Sequence, residues 1–163
     1  MKFLWISFPA NDGVEKSNTM QFREALITDI PQMSAVRMAV KENALSNPQL
    51  VTEQDYADYL SQRGKGWVCE VDGKLVGFAI ADLVKHNVWA LFILPEYEGQ
   101  GIGRELLIAL LDWYYNETHE TIWLSTAPDT RAANFYRSFG FKETDKMPNG
   151  ELKFELTADD WGV

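Results

Sequence analysis

From residue 21 onward, hydrophobic positions recur alternately at strand and helix spacing. The predicted order is a strand, two helices, three strands, a helix, a strand, a helix and two strands. This order predicts an α/β domain of the α+β kind, with a mixed sheet. The predicted strands span 22–27, 67–71, 74–82, 87–94, 121–125, 141–144 and 152–156, and the predicted helices begin near 29, 52, 104 and 129.

The dipeptide Asp72-Gly73 separates two of these strands and predicts a tight β-hairpin, because both residues tolerate the positive φ angles of a type I′ turn. A two-residue turn in this place pairs Glu70 with Leu75. With a regular register, Cys69 and Gly77 then lie on opposite faces of the sheet. We expect the small residues of the Gly77 face to leave room for another group to approach.

A glycine-rich turn follows the apolar strand at 87–94 and opens an amphipathic helix. The turn is Gly99-Gln100-Gly101-Ile102-Gly103. The first N–H groups of a helix lack partners within the helix and favour an anion, so this arrangement predicts a phosphate site. The turn lacks the Lys-Ser/Thr pair of a P-loop and the spacing of a dinucleotide-binding turn, so neither ATP nor NAD is the expected ligand.

The charge of the chain limits its partners. The 163 residues carry a formal net charge of −9, with a pI near 4.7. This balance opposes a nucleic-acid surface and suits a cationic or neutral acceptor. We also expect no membrane partner, because the sequence has no stretch of about 20 apolar residues.

The domain organisation and compartment follow from simple features. Residues 1–19 are interpreted as an N-terminal extension and residues 20–163 as a single domain. Cys69 is the only cysteine, lies in an apolar strand pattern and is expected to be a core thiol, which agrees with a cytoplasmic location. With two histidines and no ligand spacing, we expect no metal.

Two stretches together resemble the GCN5-related N-acetyltransferase (GNAT) family. They are Leu91-Phe92-Ile93-Leu94-Pro95-Glu96-Tyr97-Glu98-Gly99-Gln100-Gly101-Ile102-Gly103-Arg104 and Asn134-Phe135-Tyr136-Arg137-Ser138-Phe139-Gly140-Phe141. The resemblance covers residues 21 to about 157. It implies the GNAT fold, a splayed mixed sheet of about seven strands flanked by about four helices, and acetyl-CoA as the cosubstrate.

The resemblance also implies which residues hold acetyl-CoA. The turn from Glu98 to Arg104 corresponds to the pyrophosphate site, and the strand before it corresponds to the pantetheine site. Glu98 departs from the family, which usually has Arg or Gln there, and Asp129 stands in the place of an Asn and is expected to cap the following helix. The implied cofactor-binding residues are Phe92, Ile93, Leu94, Glu98, Gly99, Gln100, Gly101, Ile102, Gly103, Arg104, Asp129, Ala132, Asn134 and Tyr136.

The family pattern makes Tyr136 the proton donor to the departing thiolate. An ordinary phenol pKa near 10 lies close to the thiol value of roughly 8.5, so the transfer is nearly balanced. A backbone N–H near Ile93 or Leu94 is the expected donor to the oxyanion. The general base is left open among four side chains: Glu70, Asp82, His86 and Glu96. Of these, Glu70 is the candidate that we take as the base.

The acceptor is expected to be a primary amine on a small molecule or a protein. Arg37, Glu42 and Asn43 resemble a stretch that borders the acceptor in bacterial members of the family. The alternative function is a catalytically silent module that binds acyl-CoA as a sensor, which Glu98, Asp129 and the missing base favour. A homodimer is left open.

Overall fold

One mixed sheet of eight strands crosses the part of the chain that the computed structural model describes, residues 5–8, 18–40 and 51–163. The order across the sheet is β1-β2-β3-β4-β5-β6-β8-β7. The strands are β1 (Trp5–Phe8), β2 (Asn18–Glu24), β3 (Gly64–Val71), β4 (Lys74–Asp82), β5 (Asn87–Ile93), β6 (Ile122–Thr126), β7 (Lys142–Lys146) and β8 (Leu152–Leu156).

Helices cover both faces of this sheet. They are α1 (Ile30–Ala39), α2 (Glu53–Asp58), α3 (Ile102–Glu117), α4 (Arg131–Phe139) and α5 (Ala158–Trp161). A β-carbon on Gly77 would lie 3.3 Å from Ile102 Cγ2 of α3. The next residue, Phe78, instead meets the ring of Tyr56 of α2 at 6.2 Å. Because successive strand residues point to opposite faces, α2 and α3 lie on opposite sides of the sheet. The predicted fold class is therefore confirmed.

The hairpin between β3 and β4 forms at Asp72-Gly73 as predicted, and Glu70 pairs with Leu75. The predicted faces were wrong beyond that pair. A bulge between Cys69 and Glu70 makes Cys69 pair with Gly77, so these two share the face that α3 covers. The space beside Gly77 is filled by Ile93 and Ile102, and it is not open to a ligand. Burial raises the pKa of the Cys69 thiol to about 12, and the charge of Glu70 adds to that rise, as fits a core thiol.

The amino-terminal part of the sheet differs from the prediction. The predicted strand at 22–27 is shifted, because β2 ends at Glu24 and a 3₁₀ turn occupies Ile27–Asp29. The Asp29 carboxylate accepts the Leu26 N–H at 2.7 Å, and this bond turns the chain into α1. β1 pairs with β2, so residues 5–8 of the predicted extension belong to the sheet, which raises the strand count from seven to eight. The domain boundary at residue 20 stays a prediction.

The sheet opens between β5 and β6. These strands are parallel, and within their described residues the only pair is Asn87 with Trp123, near the amino ends of both. β6 instead pairs along its whole length with β8. Toward their carboxyl ends, β5 and β6 therefore separate. This splay is the feature that positions the site.

Candidate acetyl-transfer site

The glycine turn presents unpaired backbone donors. Gly99 and Gly101 have φ angles of 75° and 82°, in the left-handed region that favours glycine. Glu105 donates the first helical hydrogen bond of α3, to the Gly101 carbonyl. The N–H groups of residues 99–104 donate to no group in the described part of the chain. They form the helix N-terminus that the sequence predicts as a phosphate site.

Gly103 lets α3 lie close to β5. A β-carbon at this position would be 2.9 Å from Ile93 Cδ1, a separation too short for real side chains. At Gly99 and Gly101, by contrast, a β-carbon would meet no atom within 4 Å. Gly103 therefore serves packing, whereas Gly99 and Gly101 border open space.

β5 turns backbone groups into the gap. The Leu94 N–H donates to the Val76 carbonyl of β4 at 2.8 Å, and Phe92 pairs with Phe78 of β4. Since neighbouring residues direct their backbone groups to opposite sides, the N–H and C=O of Ile93 point toward β6. Of the two predicted oxyanion donors, Leu94 is therefore wrong, because its N–H is already used, and Ile93 remains.

A cavity of about 390 Å³ extends from the glycine turn to α4. The cavity is also bordered by residues that were not among the predicted cofactor-binding residues, including Leu91, Tyr97, Arg131 and Phe135. Four predicted residues, Leu94, Gln100, Asp129 and Asn134, do not line it. The predicted cofactor-binding residues that line it are Phe92, Ile93, Glu98, Gly99, Gly101, Ile102, Gly103, Arg104, Ala132 and Tyr136.

Glu98 is neutralised by a partner that the sequence did not reveal. Its Oε2 atom lies 2.7 Å from Nη1 of Arg131, the first residue of α4. Both side chains are exposed at the rim of the cavity. The carboxylate beside the predicted phosphate site is therefore matched by a cation that faces the same space.

α4 begins differently from the prediction. Thr130, rather than Asp129, is the N-cap, and its hydroxyl accepts the Ala133 N–H at 3.1 Å. Asp129 has a φ angle of 57° and is exposed, so it forms the bend before the helix. Asn134 is also exposed, and its side-chain oxygen accepts a hydrogen bond from Arg137. The predicted contacts of Asp129 and Asn134 with a cofactor gain no geometric support.

Tyr136 lies where two cavities meet. Its ring packs against Phe135, Phe141 and Phe154, with centroid distances of 5.3, 5.6 and 6.5 Å. Burial raises the pKa of the hydroxyl well above its usual range, so the phenol stays protonated at neutral pH. Tyr136 lines the cavity at the glycine turn and also a second cavity of about 220 Å³ between β5 and β6.

The second cavity contains a carboxylate that the sequence analysis missed. Glu151 lines this cavity, and its Oε2 atom accepts the Ser125 hydroxyl at 2.6 Å. Glu151 directly precedes β8, and β8 pairs with β6. The sequence predicts the strand at 152–156, but its pairing with β6 is a long-range contact that local patterns do not show.

None of the four predicted bases lines either cavity. Glu70 lies on β3, which β4 separates from β5, and its carboxylate pairs with Arg23 at 2.7 Å, so its predicted role as base gains no geometric support. Asp82 is fully buried in an ion pair with Arg63. His86 bonds the Tyr114 hydroxyl, and Glu96 is exposed.

Of the predicted acceptor residues, Arg37 reaches the second cavity from α1. Its guanidinium carbon lies 5.4 Å from the ring centroid of Trp89 and 4.7 Å from that of Phe92. Trp89 is the extra residue of a bulge in β5. Glu42 and Asn43 lie outside the described residues.

The described residues contain no group of three or more His, Cys, Asp or Glu side chains that could hold a metal ion. No helix among them has the length and apolar character needed to cross a membrane.

Comparison with known proteins points to one family. The family model for the acetyltransferase (GNAT) family matches residues 31–141. The ribosomal protein bS18-alanine N-acetyltransferase of Escherichia coli (strain K12) is 30% identical over 95 residues, which are 56% of this chain and 64% of that enzyme. The match therefore spans less than two thirds of that relative.

Two more relatives extend the comparison over a larger share of both chains. Aminoglycoside N(6')-acetyltransferase type 1 of Stenotrophomonas maltophilia is 26% identical over 149 residues, 83% of this chain and 95% of that enzyme. The crystal structure of PaiA N-acetyltransferase from Thermoplasma acidophilum in complex with coenzyme A matches with a TM-score of 0.73 at 17% identity, covering 85% of this chain and 98% of that one. The structural likeness shows that the two chains share a fold.

Proposed function

Because the chain belongs to the acetyltransferase (GNAT) family, we propose that it is an acetyl-CoA-dependent N-acetyltransferase that acts by direct attack of an amine in a ternary complex. The observation that carries the proposal is the meeting of the two cavities at Tyr136. A thioester entering from the glycine turn and an amine entering between β5 and β6 converge on this hydroxyl. Direct transfer needs this convergence.

The glycine turn and β5 fit the two ends of coenzyme A. Unpaired N–H groups at residues 99–104, together with the dipole of α3, suit the diphosphate. The outward backbone groups of Ile93 suit the amides of the pantetheine arm, which pairs like an added strand. When bound there, acetyl-CoA supplies an acetyl group activated as a thioester.

Tyr136 is proposed to protonate the leaving sulfur. Its raised pKa makes it a weaker acid than a free phenol, but it also keeps the proton in place at neutral pH. The Ile93 N–H is proposed to donate to the thioester oxygen as negative charge develops on it. As the C–N bond forms, the C–S bond breaks and the sulfur takes the Tyr136 proton.

Glu151 is proposed as the general base in place of Glu70. It is the only carboxylate among the described residues that line the second cavity, and its bond to Ser125 fixes its orientation. The proton that the attacking nitrogen gives up passes to Glu151, directly or through a water molecule. Glu151 directly precedes β8, which pairs with β6, so the proposed base lies across the gap from β5.

The three arguments for the silent acyl-CoA sensor lose support, and one of their residues, Asp129, is exposed and lines neither cavity. Glu98 is paired with Arg131, so an unmatched negative charge does not oppose the diphosphate. A carboxylate is also present beside Tyr136, in Glu151. We therefore favour the enzyme over the sensor.

The acceptor is proposed to be a primary amine on a small molecule or a protein. The bS18-alanine enzyme and the aminoglycoside enzyme named above represent these two classes. We further propose a cytoplasmic protein without nucleic-acid partners, which the net charge of −9 supports. A homodimer is a separate proposal that light scattering tests.

The function is tested by following free thiol while the purified full chain is mixed with acetyl-CoA and a panel of primary amines. We expect amine-dependent thiol release, and Tyr136→Phe should lower kcat by about 10²- to 10⁴-fold while changing acetyl-CoA affinity little. Acetyl-CoA binding with no turnover, alike in both proteins, would support the silent sensor. Turnover that Tyr136→Phe leaves intact would remove the tyrosine from the mechanism.

A further inference from the structure

The second cavity contains buried hydrogen-bonding groups that have no partner. The Nε and Nη1 atoms of Arg37 and the hydroxyl oxygen of Thr126 are shielded from solvent and bond to nothing in the described chain. Arg37 and Thr126 both line this cavity. Buried polar groups are nearly always paired, so a cluster of unpaired ones indicates a ligand that completes them.

Arg37 is the strongest of these signals because its charge is permanent. A guanidinium stays protonated throughout the accessible pH range, and its N–H groups donate charge-assisted hydrogen bonds that suit a carboxylate. The aromatic rings of Trp89 and Phe92 hold the guanidinium plane in place. Burial raises the pKa of the neighbouring Tyr56 hydroxyl, while the charge of Arg37 and a side-chain hydrogen-bonding interaction with it oppose that rise.

The opposite charge in this cavity is Glu151, which is tied to Ser125. The cavity thus has a cationic side chain from α1 and an anionic one from the residue before β8, with Tyr136 lining it as well. A ligand that matches both charges carries an ammonium or amine at one end and an anion at the other. A polycation matches only Glu151 and places positive charge near Arg37.

We propose that the acceptor is a small amino-carboxylate, whose carboxylate accepts hydrogen bonds from the Arg37 guanidinium and whose amine lies beside Glu151 and Tyr136. This inference rests on the proposed function and adds the chemical class of its acceptor. A cavity of about 220 Å³ suits a molecule of amino-acid size. The negative charge of the whole chain does not oppose such a ligand, because a zwitterion has no net charge.

The test compares acids with their amides, which differ in charge but hardly in shape. L-Alanine, β-alanine and 4-aminobutyrate are each assayed with acetyl-CoA against the corresponding carboxamide, and spermidine serves as the polycation. We expect at least one acid to exceed its amide by about 10- to 100-fold in kcat/KM, as for a charge-assisted hydrogen bond to a buried guanidinium. The amide has the less basic amine, so the supply of free amine favours the amide and works against this result.

Variants assign the preference to Arg37. Arg37→Gln should abolish the difference between acid and amide, and Arg37→Lys should restore part of it. Lys142→Gln removes the same charge at an exposed site outside both cavities and should keep the full difference. If Arg37→Gln fails to fold, the wild-type comparison and Arg37→Lys still decide.

The outcomes separate this inference from the proposed function. Amides or spermidine acetylated as well as the acids would overturn the inference and leave the acetyltransferase intact. If no amine turns over, calorimetric titration of the acids and amides into the protein saturated with coenzyme A decides, because only the inference requires the acids to bind more tightly. A further comparison uses the C-terminally amidated dipeptides alanyl-aspartate and alanyl-asparagine. If only alanyl-aspartate were preferred over its amide counterpart, and the small acids were not, the carboxylate that Arg37 binds would belong to a peptide. That result would overturn the small-molecule acceptor.

Discussion

At the scale of single residues, the site depends on polar groups placed beside Tyr136 in an otherwise aromatic pocket. The phenol is surrounded by Phe135, Phe141 and Phe154, so its proton is retained at neutral pH. Glu151, which directly precedes β8, lines the second cavity, and its bond to Ser125 of β6 orients it. The proposed acid and the proposed base thus line the same cavity.

The role of Glu151 is tested by Glu151→Gln, which removes the charge and keeps the size. We expect kcat to fall by about 10²-fold or more near neutral pH, because the amine loses its proton acceptor. The activity that remains should rise with pH, since free amine then forms in solution. The measurement is a pH profile of thiol release for both proteins.

Glu70→Gln is the matched control, because Glu70 pairs with Arg23 and lies outside both cavities. We expect this variant to keep the wild-type pH profile. If Glu70→Gln lost activity while Glu151→Gln kept it, the original assignment from the sequence would be right and the present one wrong.

At the scale of elements, α3 and α4 position the two ends of the site. α3 starts at the glycine turn, and α4 carries Tyr136 in its second turn. The turn, α3 and Tyr136 were predictable from the sequence, because glycine spacing, a leucine stripe and a family motif are local patterns. The predicted N-cap of α4, Asp129, was wrong by one residue, because the adjacent Thr130 is an equally good N-cap type and takes that position.

Thr130→Ala tests which residue caps α4. Loss of the hydroxyl leaves the Ala133 N–H without its acceptor, and we expect the free energy of unfolding to fall by about 0.5 to 2 kcal/mol. Thr130→Ser keeps the oxygen and should retain most of the stability. Urea denaturation measures both. A larger loss in Asp129→Asn than in Thr130→Ala would return the cap to Asp129.

At the scale of the whole molecule, contacts between distant segments complete the site, and these could not be predicted from local patterns. Arg131 reaches Glu98, and Glu151 bonds Ser125, across long separations in sequence. The β-bulges beside Cys69 and at Trp89 likewise change which face of the sheet the neighbouring side chains occupy, compared with a regular register. The sequence therefore predicts the cosubstrate side better than the acceptor side.

The ion pair between Arg23 of β2 and Asp29 of the 3₁₀ turn should make the stability of the fold depend on pH. Burial alone raises the pKa of Asp29, but hydrogen bonds from the Arg23 guanidinium and the Leu26 N–H outweigh it and hold the pKa below its usual value. A lowered pKa adds stability above the unfolded value of about 3.9, and that stability is lost as the pH falls through the folded value.

Asp29→Asn is expected to lower the free energy of unfolding by about 1 to 3 kcal/mol at pH 7. The difference from wild type should shrink as the pH falls below about 4. Glu96→Gln alters an exposed carboxylate and should change little. Denaturant titrations at several pH values measure all three proteins. A difference that stays constant from neutral to acid pH would show that the Asp29 charge is not responsible.

The central claim, that unpaired N–H groups at the glycine turn hold acetyl-CoA, is tested most directly by calorimetric titration of acetyl-CoA into Gly101→Val. Gly101 and Gly73 have φ angles of 82° and 80°, and a β-carbon at either meets no atom within 4 Å, so Gly73→Val is a control with the same backbone strain. We predict that wild type and Gly73→Val bind acetyl-CoA and that Gly101→Val loses at least about tenfold in affinity. Equal affinity in all three proteins would contradict the account.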